Sequence, residues 1–172
     1  MINFYGKLGF KLDEAFSLFH GETIDSLKAG NLPKVTRDKI GVIEKFDYEC
    51  FGGDRKRLLE SIILEKGNLS YYMPENKAIV GYVAATVYQT MAWVGPLICK
   101  EDQIGAAESL LESVLSKLTN SNVYMVLPKK EKALTKKLSN IGFKEDFSVS
   151  RMFLGPSVVK NCIYLAESLE RG

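Results

Sequence analysis

The chain has 172 residues and a mass of 19.2 kDa, and 46% of its residues are apolar and 26% charged. This length suits one domain, or one domain with a fragment of another, and can bury a substantial core. The formal net charge of +2 and the lack of an apolar run of roughly 20 residues lead us to expect neither a nucleic-acid nor a membrane partner.

The first 32 residues differ in pattern from the rest. Residues 2–8 predict a short helix, residues 14–20 an extended strand, and residues 22–33 a connector that contains Gly30 and Pro33. The aromatic content of the first 19 residues is too high for a disordered tail. We therefore expect this fragment to dock on a folded partner.

From residue 37 onward, helices and strands alternate. The predicted helices cover residues 37–51, a segment beginning after Asp54, residues 103–118, residues 130–140, and a last amphipathic segment with Val159, Cys162, Ile163, Ala166 and Leu169 on one face. The predicted strands cover residues 69–73, 78–88, 91–98, 123–127 and 142–154. This order predicts an α+β fold with a mixed sheet: an antiparallel meander, one parallel strand pair, and helices on both faces.

The cysteines and the amino terminus indicate a cytoplasmic protein that holds no metal. Cys50, Cys99 and Cys162 are widely spaced, and His20 is the only histidine. Such a set fits neither a zinc site nor a disulfide framework, and free thiols are typical of a reducing compartment. The first residues lack the basic and apolar regions of a signal peptide.

Two segments, about one domain length apart, resemble each other. Residues 8–13 read Leu-Gly-Phe-Lys-Leu-Asp and residues 141–146 read Ile-Gly-Phe-Lys-Glu-Asp. Each follows a predicted helix and precedes a predicted strand. Chance similarity at a common helix stop signal is one interpretation, and a true repeat is the one that we favour.

The chain resembles the GNAT superfamily of acetyltransferases in two places. Residues 4–10, Phe-Tyr-Gly-Lys-Leu-Gly-Phe, are similar to a corner near the end of a GNAT domain. From residue 33 onward the chain is similar to a complete domain of the kind that follows a first GNAT domain in two-domain proteins. The marks of this second similarity are Asp47…Phe51-Gly52-Gly53-Asp54-Arg55, Val94-Gly95-Pro96-Leu97, Gly142-Phe143 and Arg151-Met152…Gly155. The resemblance implies a tail fragment of a first GNAT domain with a connector at 1–32, and a GNAT-like acyl-CoA N-acyltransferase fold at 33–172.

The resemblance also implies acetyl-coenzyme A as co-substrate. GNAT enzymes hold its pyrophosphate on backbone N–H groups at a helix start, where orphan N–H groups and the helix dipole favour an anion. In the matching loop Gly105 and Ala107 fit the pattern, whereas Asp102 stands where Arg or Gln is expected and can cap the helix instead. A capped helix packed by small residues is the alternative. The implied cofactor-binding residues are Leu97, Ile98, Gln103, Gly105, Ala106 and Ala107, with Leu97 and Ile98 at a splay between strands that admits the pantetheine arm.

The resemblance identifies no catalytic residue in the complete domain. The tyrosine of the Phe-Tyr corner often protonates the leaving thiolate; Tyr5 matches it but lies in the fragment, and Leu138 stands at the equivalent place in the domain. Glu44 or Asp47 could act as a base through water, and a solvated helix charge is the alternative. Asp47 and Arg55 could shape a substrate mouth or form a local salt bridge.

The implied reaction is direct attack of an amine, on a small molecule or a peptide, on the acetyl thioester. The alternative is a non-catalytic, degenerate GNAT-like domain that binds a ligand or another protein. For the fragment at 1–32 we expect either addition to the edge of its own domain's sheet or, as we favour, pairing with a second copy in a homodimer.

Overall fold

A computed structural model describes residues 2–23, 30–157 and 160–169. The helices in these ranges are α1 (Ile2–Lys7), α2 (Ile40–Phe51), α3 (Lys56–Ile63), α4 (Ile104–Leu115) and α5 (Lys132–Asn140). The strands are β1 (Phe10–Glu22), β2 (Leu69–Glu75), β3 (Ala78–Tyr88), β4 (Met91–Lys100), β5 (Asn122–Pro128), β6 (Lys144–Leu154) and β7 (Cys162–Leu165). Residues 24–29 of the predicted connector lie outside the described residues.

The strands form one mixed sheet in the order β2-β3-β4-β5-β1-β6, with β7 paired to β4. β2, β3 and β4 are the predicted antiparallel meander, and β4 and β5 are the predicted parallel pair, connected through α4. The predicted α+β fold class is therefore confirmed.

Helices cover both faces of the sheet because each carries an apolar stripe. On one face α4 and α5 bury side chains such as Leu111 and Leu138. On the other face α2 and α3 bury side chains such as Ile43 and Leu59. The sheet thus separates two apolar clusters.

The amino-terminal fragment is part of this sheet. β1 lies between β5 and β6 and is antiparallel to both. Phe16 and Leu18 enter the cluster under α2 and α3, whereas Phe19 enters the opposite one. The prediction that the fragment docks is confirmed, although it docks as an internal strand and not at a sheet edge. The homodimer stays a prediction.

The similar segments noted in the sequence have similar backbones. Gly9 follows α1 with φ 90°, and Gly142 follows α5 with φ 94°. Both angles lie in the left-handed region that favours glycine after a helix. A strand begins one residue after Gly9, at Phe10, and two residues after Gly142, at Lys144.

The last predicted helix is wrong. Cys162–Leu165 is a strand, β7, antiparallel to β4 and buried along its whole length. The apolar positions have helical spacing, but a short continuous apolar run is equally typical of a strand buried on both faces. The segment forms a strand because β4 and β5 each offer a backbone edge that has no other strand partner at this point among the described residues. Val159 of the predicted helix lies outside the described residues.

Candidate functional site

The parallel strands β4 and β5 separate part-way along their length. They pair over Met91–Val94 with Asn122–Met125, and beyond Val94 the pairing stops. Leu97 and Ile98 lie on the part of β4 that has left β5. We call the space between residues 97–100 of β4 and residues 126–128 of β5 the interstrand wedge.

The chain's own strand β7 fills the interstrand wedge. On one side Leu97 pairs with Leu165 and Ile98 with Tyr164. On the other side the Ala166 backbone N–H donates to the carbonyl of Val126 over 2.9 Å. Leu97 and Ile98 are fully buried as a result. The predicted splay is present, but a strand lies in it.

The start of α4 lies directly after β4. Gln103 is at the N-cap position and its side chain makes no capping hydrogen bond. Gly105 is exposed, with open space where a side chain would stand, whereas Ala107 is fully buried against the sheet. The first turn thus offers backbone N–H groups that a ligand could approach closely at Gly105.

A buried polar cluster lies between α2, α3 and β3. The Asp47 carboxylate is 1% exposed and accepts from Nε and Nη2 of Arg55 at 3.1 and 2.5 Å. It also accepts from the Tyr82 hydroxyl at 2.5 Å. The Arg55 guanidinium stacks over Phe51, 3.7 Å from the ring centroid. The local salt bridge considered for Asp47 and Arg55 is therefore formed.

Burial and the neighbouring groups together set the pKa values of Tyr82 and Arg55. It raises the pKa of Tyr82 well above its ordinary value; the Asp47 carboxylate acts in the same direction and Arg55 opposes it. Burial alone would lower the pKa of Arg55, but Tyr82 and Asp47 keep it above its ordinary value. Tyr82 therefore stays a neutral phenol and Arg55 a guanidinium cation.

Tyr164 of β7 reaches from the interstrand wedge into the same face of the sheet. Its ring packs against Phe16 and Phe51, with centroids 5.9 and 5.5 Å apart. The Arg151 guanidinium lies 5.5 Å from the Tyr164 ring and is ion-paired with Asp13, at 2.6 Å. Burial raises the pKa of Tyr164 to about 12, although Arg55 and Arg151 oppose the shift. Sequence reasoning missed Tyr164 because it placed this residue in a helix.

A cavity of about 220 Å³ adjoins the carboxyl end of β7. Phe16, Val126, Arg151 and Ala166 line it together with neighbouring residues. Since Phe16, Val126 and Ala166 also belong to the cluster under α2 and α3, the cavity opens on that face of the sheet.

Glu131 is a second residue that sequence reasoning missed. It stands at the N-cap position of α5, three residues after the end of β5. Burial raises its pKa, while Lys130 and the backbone N–H of Tyr164 act in the opposite direction. The contact with Tyr164 places the carboxyl group beside β7. Its place just past the end of a parallel strand, where ligands of open α/β sheets bind, was the available signal.

The family model of the GNAT acetyltransferase domain matches residues 43–164. The chain belongs to the GNAT acetyltransferase family. A comparison with curated proteins finds no significant match.

Solved structures share the fold of this GNAT chain. A candidate acetyltransferase from Pyrococcus horikoshii is 20% identical with a TM-score of 0.71, and the match covers 99% of this chain but 56% of that one. A candidate GNAT acetyltransferase from Novosphingobium aromaticivorans is 8% identical with a TM-score of 0.62, over 93% and 68% of the two chains. A protein of unknown function from Staphylococcus epidermidis is 15% identical with a TM-score of 0.62, over 98% and 67%. The chain thus spans little more than half of the Pyrococcus protein.

The candidate catalytic residues of this GNAT chain are not brought together. Asp47 is enclosed by its partners, and Glu44, one turn earlier on α2, pairs with Lys56 at 3.5 Å. Tyr5 is 40% exposed on α1, where its ring meets Phe10 edge-on. Among the cofactor candidates, Leu97 and Ile98 line the interstrand wedge, and Gln103, Gly105, Ala106 and Ala107 surround the start of α4.

The fit to acetyl-CoA differs between the two parts of the site. The uncapped start of α4 suits a phosphate group. The interstrand wedge does not accept a pantetheine arm in this conformation, because β7 pairs with the β4 edge over Leu97–Lys100.

Two further properties of this GNAT chain concern metals and membranes. Within residues 2–23, 30–157 and 160–169, no three His, Cys, Asp or Glu side chains are grouped so that they could hold a metal ion. In the same ranges no helix combines the length and the apolar character that crossing a membrane requires.

Proposed function

We propose that the chain transfers an acetyl group from acetyl-CoA to an amine, in a conformation in which β7 has left the interstrand wedge. The observation that carries this proposal is the separation of β4 from β5 after Val94, immediately before the uncapped start of α4. When bound, acetyl-CoA supplies the acetyl group as an activated thioester.

The start of α4 is the part of the chain that would hold the pyrophosphate. The backbone N–H groups near Gly105 and Ala106 have no side-chain cap from Gln103, and the missing side chain of Gly105 lets an anion come close. Glu101 and Asp102 are exposed beside this turn and would repel the same anion. The expected affinity is therefore lower than that of a loop with a cationic donor.

An amine acceptor must lose a proton, and Glu131 is the carboxylate that we assign to this step. Glu131 lies just past the end of β5, on the fold that remains when β7 leaves, and a carboxylate there can act as a general base. In the closed conformation Glu131 contacts Tyr164 of β7, which supports its assignment to the border of the interstrand wedge. Asp47 suits the step less well, because Arg55 and Tyr82 already occupy its oxygens.

The acceptor class that we propose is a small amine or the end of a peptide side chain. The cavity beside β7 measures about 220 Å³, which is below the usual size of sites for drug-sized ligands. Phe16 supplies an apolar wall and Arg151 a polar one.

A second candidate function, a non-catalytic GNAT-like domain, is favoured by two observations. β7 occupies the interstrand wedge, and Leu138 stands fully buried where the corner tyrosine of the family is expected. In that case the same surface binds a ligand or a partner without chemistry.

Acetyl-CoA binding is the first requirement of the acetyltransferase function, and release of free thiol in the presence of an amine separates it from the non-catalytic function. At a ligand concentration of 100 times the Kd we expect about 2.7 kcal/mol of stabilisation. The shift should disappear in Gly105→Asp, which places a carboxylate at the anion site, and persist in Gly41→Asp, a matched exposed glycine on α2 with equally open surroundings. A positive shift would be followed by measuring free thiol release with a panel of amines. The proposal is wrong if millimolar acetyl-CoA shifts neither the full chain nor the Gly95→Ala variant, in which β7 is weakened.

For the whole protein we propose a cytoplasmic homodimer. The cysteines at 50, 99 and 162 are all free thiols, which suits a reducing compartment. The fragment carries the apolar residues that a partner would cover: Ile2, Phe4, Tyr5 and Leu8 are all exposed. Exposed apolar groups of this kind are typical of interaction surfaces.

A further inference from the structure

We propose that β7 is a displaceable strand that closes the interstrand wedge, and that the pantetheine arm of an acyl-CoA ligand competes with it for the same edge of β4. The competition rests on the proposed function, whereas the opening of β7 does not. In the closed state the backbone edge of Leu97–Lys100 is fully used by β7.

β7 is attached unequally on its two sides. Along β4 it pairs through all of Cys162–Leu165. Towards β5, the backbone pairing among the described residues is a single bridge between Ala166, directly after β7, and Val126. The Glu131 side chain, just past the end of β5, accepts from the Tyr164 N–H. A four-residue strand held mainly along one edge opens at a lower free energy than an internal strand, because fewer hydrogen bonds and apolar contacts are lost.

Two cations beneath β7 are each paired with a carboxylate that does not belong to β7. Arg55 is paired with Asp47 and Arg151 with Asp13, both within the remaining fold. The part of β7 that lies between these cations is the Tyr164 side chain, whose phenol stays neutral because burial raises its pKa. Departure of β7 therefore leaves these two ion pairs intact. Breaking a buried ion pair would carry a large free-energy penalty.

The closed state also depends on a close approach at Gly95. A β-carbon at this position would overlap the carbonyl oxygen of Ala166, directly after β7. Gly95 lies where β4 leaves β5, so the same residue opens the wedge and accommodates the strand that fills it. Adding a methyl group at Gly95 should therefore loosen the attachment of β7.

Two buried thiols, at Cys162 and Cys99, report the opening of β7; they are 4% and 0% exposed, and burial raises the pKa of each to about 12. Cys162 is in β7. Cys99 lies on β4 opposite β7, but its thiol packs in the cluster under α4 and α5 and donates to the carbonyls of Val80 and Gln103, which stay in place when β7 leaves. Because each thiol is unreactive while it is buried, a difference in alkylation rate reports a difference in opening. Cys50, which is half-buried, serves as the control for the reagent.

The experiment is alkylation of the full chain under native conditions, with peptide mass mapping to follow each cysteine. We expect Cys162 to react at least about tenfold faster than Cys99. Gly95→Ala should raise the Cys162 rate by about tenfold more and leave Cys99 unchanged, whereas Gly41→Ala, an open exposed position, should change neither. Saturating acetyl-CoA should raise the Cys162 rate in the unmodified chain.

The outcomes separate the two proposals. Equal rates for Cys99 and Cys162 in the unmodified chain overturn the displaceable strand, even if acetyl-CoA still shifts the melting temperature. Fast alkylation of Cys162 with no effect of acetyl-CoA on rate or melting temperature supports the displaceable strand and overturns both the competition and the proposed function. Protection of Cys162 by acetyl-CoA overturns the competition, because it means that ligand and β7 are held together.

Discussion

Two strands enter the sheet from the two ends of the chain, and they are held in different ways. β1 has 13 residues and pairs along both edges, with β5 from Phe16 and with β6 from Phe10. β7 has four residues and pairs along one edge, with β4, and reaches β5 through the Ala166 bridge. A single hydrogen bond contributes little net free energy, so the number of bonds along a strand decides how firmly it is held. β1 is therefore a fixed part of the fold, and β7 is a strand that can separate from it.

Burial alone does not distinguish these strands. β1 places Phe16 in one apolar cluster and Phe19 in the other, and β7 does the same with Tyr164 and Ile163. All four side chains are at most 4% exposed. The pairing of strand edges, and not the exposure of side chains, therefore indicates which buried strand can leave the sheet.

Core truncation in each strand gives the largest expected effect. Phe19→Ala in β1 should lower the free energy of unfolding by about 3–5 kcal/mol, because the cavity cannot be avoided. Leu165→Ala in β7, at a fully buried site, should lower it by about 2 kcal/mol or less, because release of the strand limits the loss. Urea denaturation followed by circular dichroism measures both.

The control for this pair is Leu8→Ala, at a residue 56% exposed, which should change stability by no more than about 0.5 kcal/mol. Equal losses in Phe19→Ala and Leu165→Ala would remove the difference between the two strands.

The sequence predicts most elements because several signals agree there. In β3 to β5, apolar runs, turn residues and the helical stripe of α4 all indicate the same boundaries. The prediction for β7 is wrong because its apolar run fits a helix and a buried strand equally well. The β4 edge with which it pairs, Leu97–Lys100, lies some 65 residues earlier in the chain. The docking of β1 followed from its aromatic residues, but its place between β5 and β6 required the three-dimensional register.

The candidate site divides in the same way. The start of α4 could be predicted, because Gly105, Ala107 and the following leucines form a local motif. Glu131 and Tyr164 could not, because the two residues become neighbours only when β7 enters the interstrand wedge. Local patterns report helix starts, whereas pairs brought together by strand insertion leave no local signal.

Alkaline pH gives a smaller effect that sharpens the comparison. Burial raises the pKa of Tyr164 to about 12 and that of Cys162 to about 12, from ordinary values of 10.0 and 9.0. The folded state therefore holds these protons more tightly than the detached strand does, and the stability contributed by β7 is full below about pH 9 and falls as the pH rises towards 12.

Tyr164→Phe tests this dependence. The variant should differ from the unmodified chain by less than about 1 kcal/mol near neutral pH. It should lose less stability between about pH 8 and pH 10.5, since one titrating group is gone. Tyr88→Phe, at a tyrosine 54% exposed, is the matched control and should follow the unmodified chain. Parallel pH profiles for Tyr164→Phe and the unmodified chain would contradict the prediction; urea denaturation at each pH measures it.

The smallest effect on stability, and the clearest on assembly, is expected at α1. The unit of helix, glycine and strand occurs twice, but Leu138 at the end of α5 is fully buried, whereas the equivalent Tyr5 on α1 is 40% exposed. α1 therefore has the sequence of a covering helix with no core of its own beneath it, and none of its residues is buried.

Deleting the fragment cannot test its role, because the deletion also removes β1 from the middle of the sheet. Phe4→Glu changes the exposed face alone: the free energy of unfolding should shift by no more than about 0.5 kcal/mol, while light scattering should show the mass falling from dimer to monomer. Val42→Glu, at an apolar residue on α2 that is 49% exposed, should leave the mass unchanged. A dimer that survives Phe4→Glu, or an unmodified chain that is monomeric at every concentration, would show that α1 has no role in self-association.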